Sequence, residues 1–284
     1  MFIEPVFGKK FFGREEVLAV LNKRLTALKG GYRQNLALAG PMLAGKSSIL
    51  RHFLSGINDP DIIPLYIELG EDDFSVFCLR FMATLLFRYL KSTGEDPNSD
   101  FEELKRMCRG KIPETMRCVD SACKTLKQKK ENAVYENLLN MTSIFKTETG
   151  KNCIVILDEF HNLSNFKLKK PFQTFGKFIM VQKNTMYIVS SSQESLLKEI
   201  LAKKLSLLFG NFEIIQVNGF DIHTARSFIT DKLRGLEISE NIRNYFIQVS
   251  QGSPFYLELL SNVLSETMSR DSACGMRKDE KEYL

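Results

Sequence analysis

The sequence predicts an α/β protein, with a parallel five-stranded sheet sandwiched by helices and a small all-helical domain after it. Up to residue 217, short apolar runs alternate with amphipathic stretches, as in buried parallel strands joined by crossover helices. After residue 217 only helical patterns remain. The predicted domains are an α/β domain over 1–218 with a helical insert at about 93–150, a helical domain over 219–270 and a polar tail over 271–284.

The first elements follow from local patterns. A helix begins near Arg14, and Gly30-Gly31 ends it. The first two strands are predicted at 35–39 and 61–68. Pro64 fits the second strand only at its start or at a sheet edge, because proline lacks the N–H that a central strand needs. The stretch from Phe74 to Tyr89 is apolar almost all round, which predicts a helix packed against the sheet.

The rest of the chain gives three strands and two groups of helices. Within 93–150 we predict three helices, the first two separated by Gly110 and Pro113. Strands are predicted at 153–157, 185–189 and 213–217, and a helix is expected to start at Glu194. The final helices are predicted at 222–233, 239–249 and 254–268, and the polar tail from residue 271 is expected to fray.

Composition excludes several classes of protein. The net charge of +5 is too small to indicate nucleic-acid binding by itself. The six cysteines form no C-x-x-C pair and there are three histidines, so no metal-site pattern is present. The N-terminus has no apolar signal segment, and Arg80 and Arg88 interrupt the most apolar helix. We therefore expect a cytoplasmic protein with no membrane contact.

The string Gly40-Pro41-Met42-Leu43-Ala44-Gly45-Lys46-Ser47 matches G-x-x-x-x-G-K-[ST], the phosphate-binding loop of P-loop NTPases. It lies between the predicted strand at 35–39 and an amphipathic helix, which is the context that the motif requires. Backbone N–H groups at the positive end of a helix bind phosphates there. Lys46 is expected to reach the β- and γ-phosphates, and the Ser47 hydroxyl to bind Mg²⁺.

Asp158 and Glu159 follow the apolar run 153–157. The carboxyl ends of parallel strands form the ligand-binding edge of an open sheet. Asp158 is therefore expected in the Mg²⁺ shell and Glu159 as the base that activates the attacking water. An acidic start to the next helix would explain the pair without any catalysis.

Ser190-Ser191-Ser192-Gln193 follows the strand at 185–189 and is expected at the same edge. Hydroxyls of Ser190 and Ser192 could orient the water or sense the γ-phosphate. A serine-rich turn that caps the helix from Glu194 explains them equally well.

The order of these elements resembles the AAA+ and STAND ATPases of the additional-strand, catalytic-glutamate (ASCE) division of P-loop proteins, and most of all the archaeal-type ATPase family related to replication initiators. Besides the two nucleotide motifs, Phe11-Phe12-Gly13-Arg14-Glu15 matches their F-x-G-R-E opening, and Gly252-Ser253-Pro254-Phe255-Tyr256 matches their G-x-P lid motif. The resemblance covers about residues 7–268.

The resemblance implies ATP and Mg²⁺ as ligands and assigns the site. It assigns catalytic roles to Glu159 and Lys46 and the metal to Ser47 and Asp158. Ser190 and Ser192 are candidates from their position after the strand alone. The base would lie beside the loop around Val6–Gly13 and the lid around Pro254. The implied nucleotide-binding residues are Gly40, Pro41, Met42, Leu43, Ala44, Gly45, Lys46, Ser47, Ser48, Phe12, Gly13, Arg14 and Pro254.

Asn211 departs from the family pattern. Relatives commonly carry an arginine there, in a string that reads Leu208-Phe209-Gly210-Asn211-Phe212 in this chain. An arginine finger is worth roughly 10³–10⁵ in rate where it operates. We therefore expect slow hydrolysis, or hydrolysis completed by self-association or by a protein partner that supplies an arginine.

Three functions stay open from the sequence. The first is a nucleotide-driven conformational switch with weak ATPase activity, in which Mg-ATP clamps the lid. The second is a DNA-transaction ATPase, initiator-like or a transposition helper, stimulated by DNA, supported by the basic run from Lys124 to Lys130 and by Lys167, Lys169 and Lys170. A solvated helix face explains that run too. The third is a nucleotide-binding scaffold that does not hydrolyse ATP.

Overall fold

The computed structural model describes residues 4–205 and 212–279, with side chains to residue 269. Its five strands form one parallel sheet in the order β2-β3-β4-β1-β5, which confirms the predicted fold class. The strands are β1 (Asn35–Ala39), β2 (Ile62–Glu68), β3 (Asn152–Asp158), β4 (Thr185–Ser191) and β5 (Phe212–Gln216).

Burial follows strand position. β1 and β4 are buried along their whole length because helices cover both faces of a central parallel strand. β2 and β5 lie at the two edges and are partly exposed. The edge position of β2 explains why Pro64 is tolerated there, as the sequence requires.

The helices of the first 205 residues surround the sheet. Alternate strand residues such as Ala37, Val155 and Tyr187 join one large core with the helices after β2, while the intervening Leu36 and Ile154 are also buried. The helices are α1 (Glu15–Lys29), α2 (Lys46–Ser55), α3 (Phe74–Ser92), α4 (Phe101–Cys108), α5 (Pro113–Lys127), α6 (Glu131–Thr149), α7 (Pro171–Val181) and α8 (Glu194–Glu199). Shorter 3₁₀ turns occupy Gly8–Lys10 and Phe160–Asn165, and a π turn occupies Ile200–Lys204.

Several boundaries differ from the sequence prediction. Helix α7 was not predicted, although Pro171 at its start and the helical spacing of Phe172, Phe175 and Ile179 favour it. β4 extends through Ser191, so the first two serines of the predicted turn are strand residues. Of the string at 208–212, residues 208–211 lie outside the described residues, and Phe212 is the first residue of β5.

The chain divides into two compact units. The sheet unit comprises residues 1–40 and 46–216, and the C-terminal unit comprises 41–45 and 217–284. The C-terminal unit contains α9 (Ile222–Lys232), α10 (Glu240–Ser250) and α11 (Pro254–Asp279). α11 runs past residue 268, where the sequence predicts its end, because no proline stops it. No helix in the described part of the chain has the length and hydrophobicity needed to cross a bilayer.

A close backbone approach fixes the turn between α10 and α11. The Phe220 N–H donates to the Gly252 carbonyl at 2.7 Å, and Gly252 has a φ of +74°. A Cβ on Gly252 would lie 2.1 Å from the Phe220 carbonyl oxygen, far inside van der Waals contact. Only glycine fits this position without a backbone shift.

Replacing Gly252 with alanine should therefore destabilise the protein more than the same change at Gly235. Gly235 has a φ of +90° but open space around it, so Gly235→Ala should cost about 1–2 kcal/mol for left-handed backbone alone. Gly252→Ala adds an overlap and should cost about 2–5 kcal/mol. Urea denaturation measures both. Equal losses would contradict the close approach.

Candidate functional site

The loop between β1 and α2 adopts a turn that its glycine permits. The Ala44 N–H donates to the Pro41 carbonyl at 3.4 Å, and Leu43 and Gly45 have φ values of 64° and 92°. A Cβ on Gly45 would meet nothing nearer than 3.8 Å, so glycine is needed there for the backbone angle rather than for space. The turn leads directly into the first residues of α2, and the N-terminus of a helix is a favourable place for an anion.

Lys46 is a buried cation at the start of α2. Its Nζ donates to the Gly40 carbonyl at 2.9 Å. Burial lowers the pKa of Lys46, while the charges of Glu159, Asp158 and Glu194 act to raise it. The ammonium group therefore lies in the field of the acids at the end of β3.

The Asp158 carboxylate is held by four donors. Oδ2 accepts from the Ser47 hydroxyl at 2.6 Å and from the Tyr66 hydroxyl. Oδ1 accepts from the Ser190 hydroxyl and from the Glu159 N–H at 3.1 Å. Asp158 is only 1% exposed, so these bonds replace the water that the carboxylate loses.

Tyr66 was not predicted as a site residue. Burial, followed by the charge of Asp158 and the hydrogen bond to it, raises the pKa of the Tyr66 hydroxyl, which keeps it a donor. The Arg51 guanidinium lies 4.8 Å from the centre of the Tyr66 ring. The register pairs Glu68 of β2 with Asp158 of β3, and Tyr66 lies two residues earlier on β2. No local pattern in the sequence signals this neighbour.

Glu159 leaves β3 in a left-handed conformation, with a φ of 53°. Its Oε2 accepts from the Ser192 N–H at 2.8 Å and from the Ser192 hydroxyl at 2.9 Å. The strained backbone, worth about 1–3 kcal/mol, is typical of functional positions. Helix α8 has Gln193 as its N-cap without a side-chain bond, so the Ser192 hydroxyl serves Glu159 and not the helix.

His161 is a second site neighbour that the sequence analysis missed. It is buried, with Nδ1 3.3 Å from Glu159 Oε2 and 2.8 Å from the Ser191 hydroxyl. Its Nε2 lies 3.1 Å from the Gln193 amide nitrogen. The histidine thus joins the base candidate to the end of β4. Its spacing of two residues from Glu159 was the available signal.

The N-terminal loop packs on α2. The Val6 N–H donates to the Ser48 hydroxyl and the Gly8 N–H to His52 Nδ1, both at 3.1 Å. The Phe11 ring stacks on His52 with centroids 4.0 Å apart. Gly13 and Arg14 follow in left-handed conformations that turn the chain into α1. Phe12, Gly13 and Arg14 thus adjoin a loop anchored to the helix that begins with Lys46.

The loop residues Pro41–Gly45 belong to the C-terminal unit. Within that unit the Ser253 hydroxyl donates to the Leu43 carbonyl at 3.1 Å. Pro254, the first residue of α11, has its Cγ 3.8 Å from the position of a Cβ on Gly45. The G-x-P motif predicted from the sequence therefore contacts the phosphate-loop residues that share its unit.

The predicted site residues thus form two sets. The sheet unit holds Gly40, Lys46, Ser47, Ser48, Asp158, Glu159, Ser190 and Ser192, together with Phe12, Gly13 and Arg14. The C-terminal unit holds Pro41, Met42, Leu43, Ala44, Gly45 and Pro254. Among the described residues no cluster of three His, Cys, Asp or Glu side chains suits a metal. The Ser47 hydroxyl and the Asp158 carboxylate, 2.6 Å apart, are the oxygen donors that Mg²⁺ prefers.

Several solved structures have an architecture similar to that of this chain. A Walker-type ATPase of Pyrococcus abyssi has a TM-score of 0.64 at 20% identity, over 100% of this chain and 78% of that chain. Cdc6p of Pyrobaculum aerophilum has a TM-score of 0.55 at 13% identity, over 95% and 65%. The ORC1 protein of Aeropyrum pernix, solved in complex with DNA, has a TM-score of 0.55 at 13% identity, over 93% and 62%.

Sequence comparison adds nothing to this. No protein-family model matches the chain, and no curated protein does. The chain spans less than two thirds of the length of the Cdc6p and ORC1 structures. At these identities the likeness establishes the fold, and it supports the resemblance that the sequence motifs indicate. The chain has the fold of the Walker-type ATPases and of the Cdc6 and ORC1 proteins.

Proposed function

We propose that the chain binds Mg-ATP at the phosphate loop and hydrolyses it slowly, and that the bound nucleotide switches its conformation. The observation that supports the proposal is the grouping of a buried lysine, a hydroxyl–carboxylate pair and a separately held glutamate in one unit. The lysine is Lys46, the pair is Ser47 with Asp158, and the glutamate is Glu159. Phosphoryl transfer needs little more than positioning and charge, which these groups supply.

In this proposal the phosphates replace the Gly40 carbonyl as the partner of Lys46. The Lys46 ammonium is buried, so its interaction with a phosphate is weakly screened. Ser47 and Asp158 would hold the metal, and Tyr66 and Ser190 fix the Asp158 carboxylate from two sides. When bound, Mg²⁺ neutralises charge on the phosphates. Phe12, Gly13 and Arg14 are assigned to the base by the resemblance alone.

Glu159 is the proposed general base. Ser192 occupies its Oε2 through two hydrogen bonds, and no described residue donates to Oε1. We assign Oε1 to the proton of the attacking water. Ser192 and His161 are then positioning residues that fix the carboxylate, and Ser190 positions Asp158. In this proposal the two serine hydroxyls orient the water only indirectly, through the carboxylates that they hold.

The slow rate and the switch rest on two further observations. Asn211 cannot supply the positive charge of an arginine finger, so the basal rate should be low unless a partner provides one. The Ser253 hydrogen bond to Leu43 joins a phosphate-loop residue to the start of α11. A loop rearrangement around the γ-phosphate would therefore be transmitted to that helix.

A DNA-stimulated ATPase is the second candidate, and one contact favours it. The Lys169 N–H donates to the Asn132 side chain at 2.7 Å, so the basic segment 167–170 lies beside the start of α6, just after Lys129 and Lys130. The two lysine clusters, distant in sequence, therefore meet on one surface. Their lysines are exposed and form no ion pair with a described residue. Such a patch suits a phosphate backbone.

Glu159→Gln should reduce Mg-ATP hydrolysis by about 100-fold or more, because a general base contributes roughly 10²–10⁴ in rate. Nucleotide affinity should stay within about threefold, whereas Lys46→Ala should lose it. Glu199→Gln, at a largely exposed side chain on α8, is the matched control. Steady-state phosphate release and nucleotide-induced melting shifts measure these effects. Nucleotide binding without turnover in the wild type would favour the hypothesis of a non-hydrolysing scaffold. Absence of nucleotide binding would refute the proposed nucleotide site.

Asp158→Asn should remove the dependence of ATP affinity on Mg²⁺. We expect at least about a tenfold loss of affinity in the presence of Mg²⁺, since the metal loses a charged ligand. Affinity measured with EDTA should change little. Asp61→Asn, at an exposed position before β2, is the control. Retention of full Mg²⁺ dependence in Asp158→Asn would place the metal elsewhere.

Lys130→Ala combined with Lys169→Ala should weaken DNA binding and lower the slope of log affinity against log salt by about 1–2, because each lysine that contacts a phosphate contributes about 0.9. Lys198→Ala with Lys203→Ala removes two lysines that pair with acids on their own helical segment. Filter retention of duplex DNA at several salt concentrations compares the two. A similar effect of both variants would show that the lysine patch has no specific role in DNA binding and is a solvated surface.

A further inference from the structure

The sheet unit contains a cavity whose lining includes no residue of the phosphate loop 40–47. Its volume is about 540 Å³, within the roughly 300–1,000 Å³ of small-molecule sites. It lies between α2, β2 and α3, at the edge of the sheet formed by β2. The side chains that determine its chemistry are Phe7, Arg51, Leu54, Tyr66, Phe87 and Arg88.

Two arginines line the cavity, and the described residues neutralise their positive charge only in part. Arg51 has Glu68 as its nearest carboxylate, at the limiting distance of 4.0 Å, and its buried Nε has no hydrogen-bond partner. Arg88 is exposed and forms no ion pair with a described residue. Arg80 lies eight residues before Arg88 on α3, does not line this cavity and is already paired with Asp72 at 2.7 Å. Two guanidinium groups bind a phosphate with several donors.

The rest of the lining is apolar and aromatic. Phe7 is 53% exposed and contributes an aromatic face to the wall of the cavity. Phe87, Leu54 and Leu104 form further apolar wall, and Ser55 and Thr84 add hydroxyls. A flat ring can pack against such walls while the arginines bind an attached anion.

We propose that this cavity binds a small phosphate ester with a planar ring, of the nucleoside monophosphate class, independently of the phosphate loop. Tyr66 lines the cavity and its hydroxyl donates to Asp158. A ligand that moves the Tyr66 ring therefore alters one of the four bonds that hold Asp158. This coupling rests on the proposed function, whereas binding at the cavity does not.

The experiment is calorimetric titration of AMP into the protein saturated with Mg-ADP, so that the phosphate loop is occupied. Arg88→Ala should weaken AMP binding by about tenfold or more, since it removes a charged hydrogen-bond donor. Arg117→Ala, at an exposed arginine on α5, should leave it unchanged. Adenosine and inorganic phosphate, titrated separately, should each bind more weakly than AMP because each lacks one part of the ligand.

Lys46→Ala distinguishes the two proposals. It should retain AMP binding, measured without ADP, even though it loses Mg-ATP. Loss of AMP binding in Lys46→Ala would place AMP at the phosphate loop and overturn the second site. Equal AMP affinity in Arg88→Ala and the wild type, or absence of AMP binding, would also overturn it. Displacement of AMP by a lower concentration of a 5′-phosphorylated oligonucleotide would overturn the assignment to a free mononucleotide. Failure of ATP hydrolysis would leave the cavity proposal standing.

Discussion

The buried Asp158 carboxylate is the constraint on which the site depends. Its four donors come from α2, β2, β4 and the backbone after β3, so a single side chain ties together three strands and the helix that begins at Lys46. Burying a carboxylate without such donors costs roughly several kcal/mol of stability. A strand order that brings hydroxyl groups to Asp158 is therefore favoured. The strand order β2-β3-β4-β1 does this by placing Tyr66 and Ser190 on the strands either side of β3.

The two acids at the end of β3 are held by different environments. Asp158 is enclosed by hydroxyls and lies against Ser47, which suits a fixed metal ligand. Glu159 turns out of the strand in a left-handed conformation and is held on one oxygen by Ser192. The change of backbone direction between consecutive residues separates the two carboxylates. It therefore allows one acid to stay in place while the other can exchange partners, which is the division of roles that the proposed hydrolysis requires.

Local signals predicted much of this fold. β1 and β3 are short apolar runs, followed by the first glycine of the phosphate loop and by two acids, and the structure places both strands as the sequence indicates. Tyr66 and His161 could not be assigned in the same way, because their roles arise from contacts between elements rather than from any motif. Ser190 and Ser192 are expected from the sequence at the carboxyl edge of the sheet. Their hydrogen-bond partners depend on which strand lies beside β4, and the sequence does not show that. Helix α7 is also encoded locally, in the helical spacing of its buried apolar residues.

The phosphate loop sets a limit on how a nucleotide could act on the C-terminal unit. Residues 41–45 are joined through the chain to Gly40 and Lys46 at either end, while Leu43 accepts a hydrogen bond from Ser253. A single such bond contributes about 0.5–1.5 kcal/mol, so breaking or forming it shifts a two-state equilibrium by roughly threefold to tenfold. The proposed switch would therefore need further contacts that differ between nucleotide states. The left-handed backbone of Leu43 is one further source of free energy for the switch. Its relaxation would contribute an amount comparable to the hydrogen bond, in the same five-residue segment.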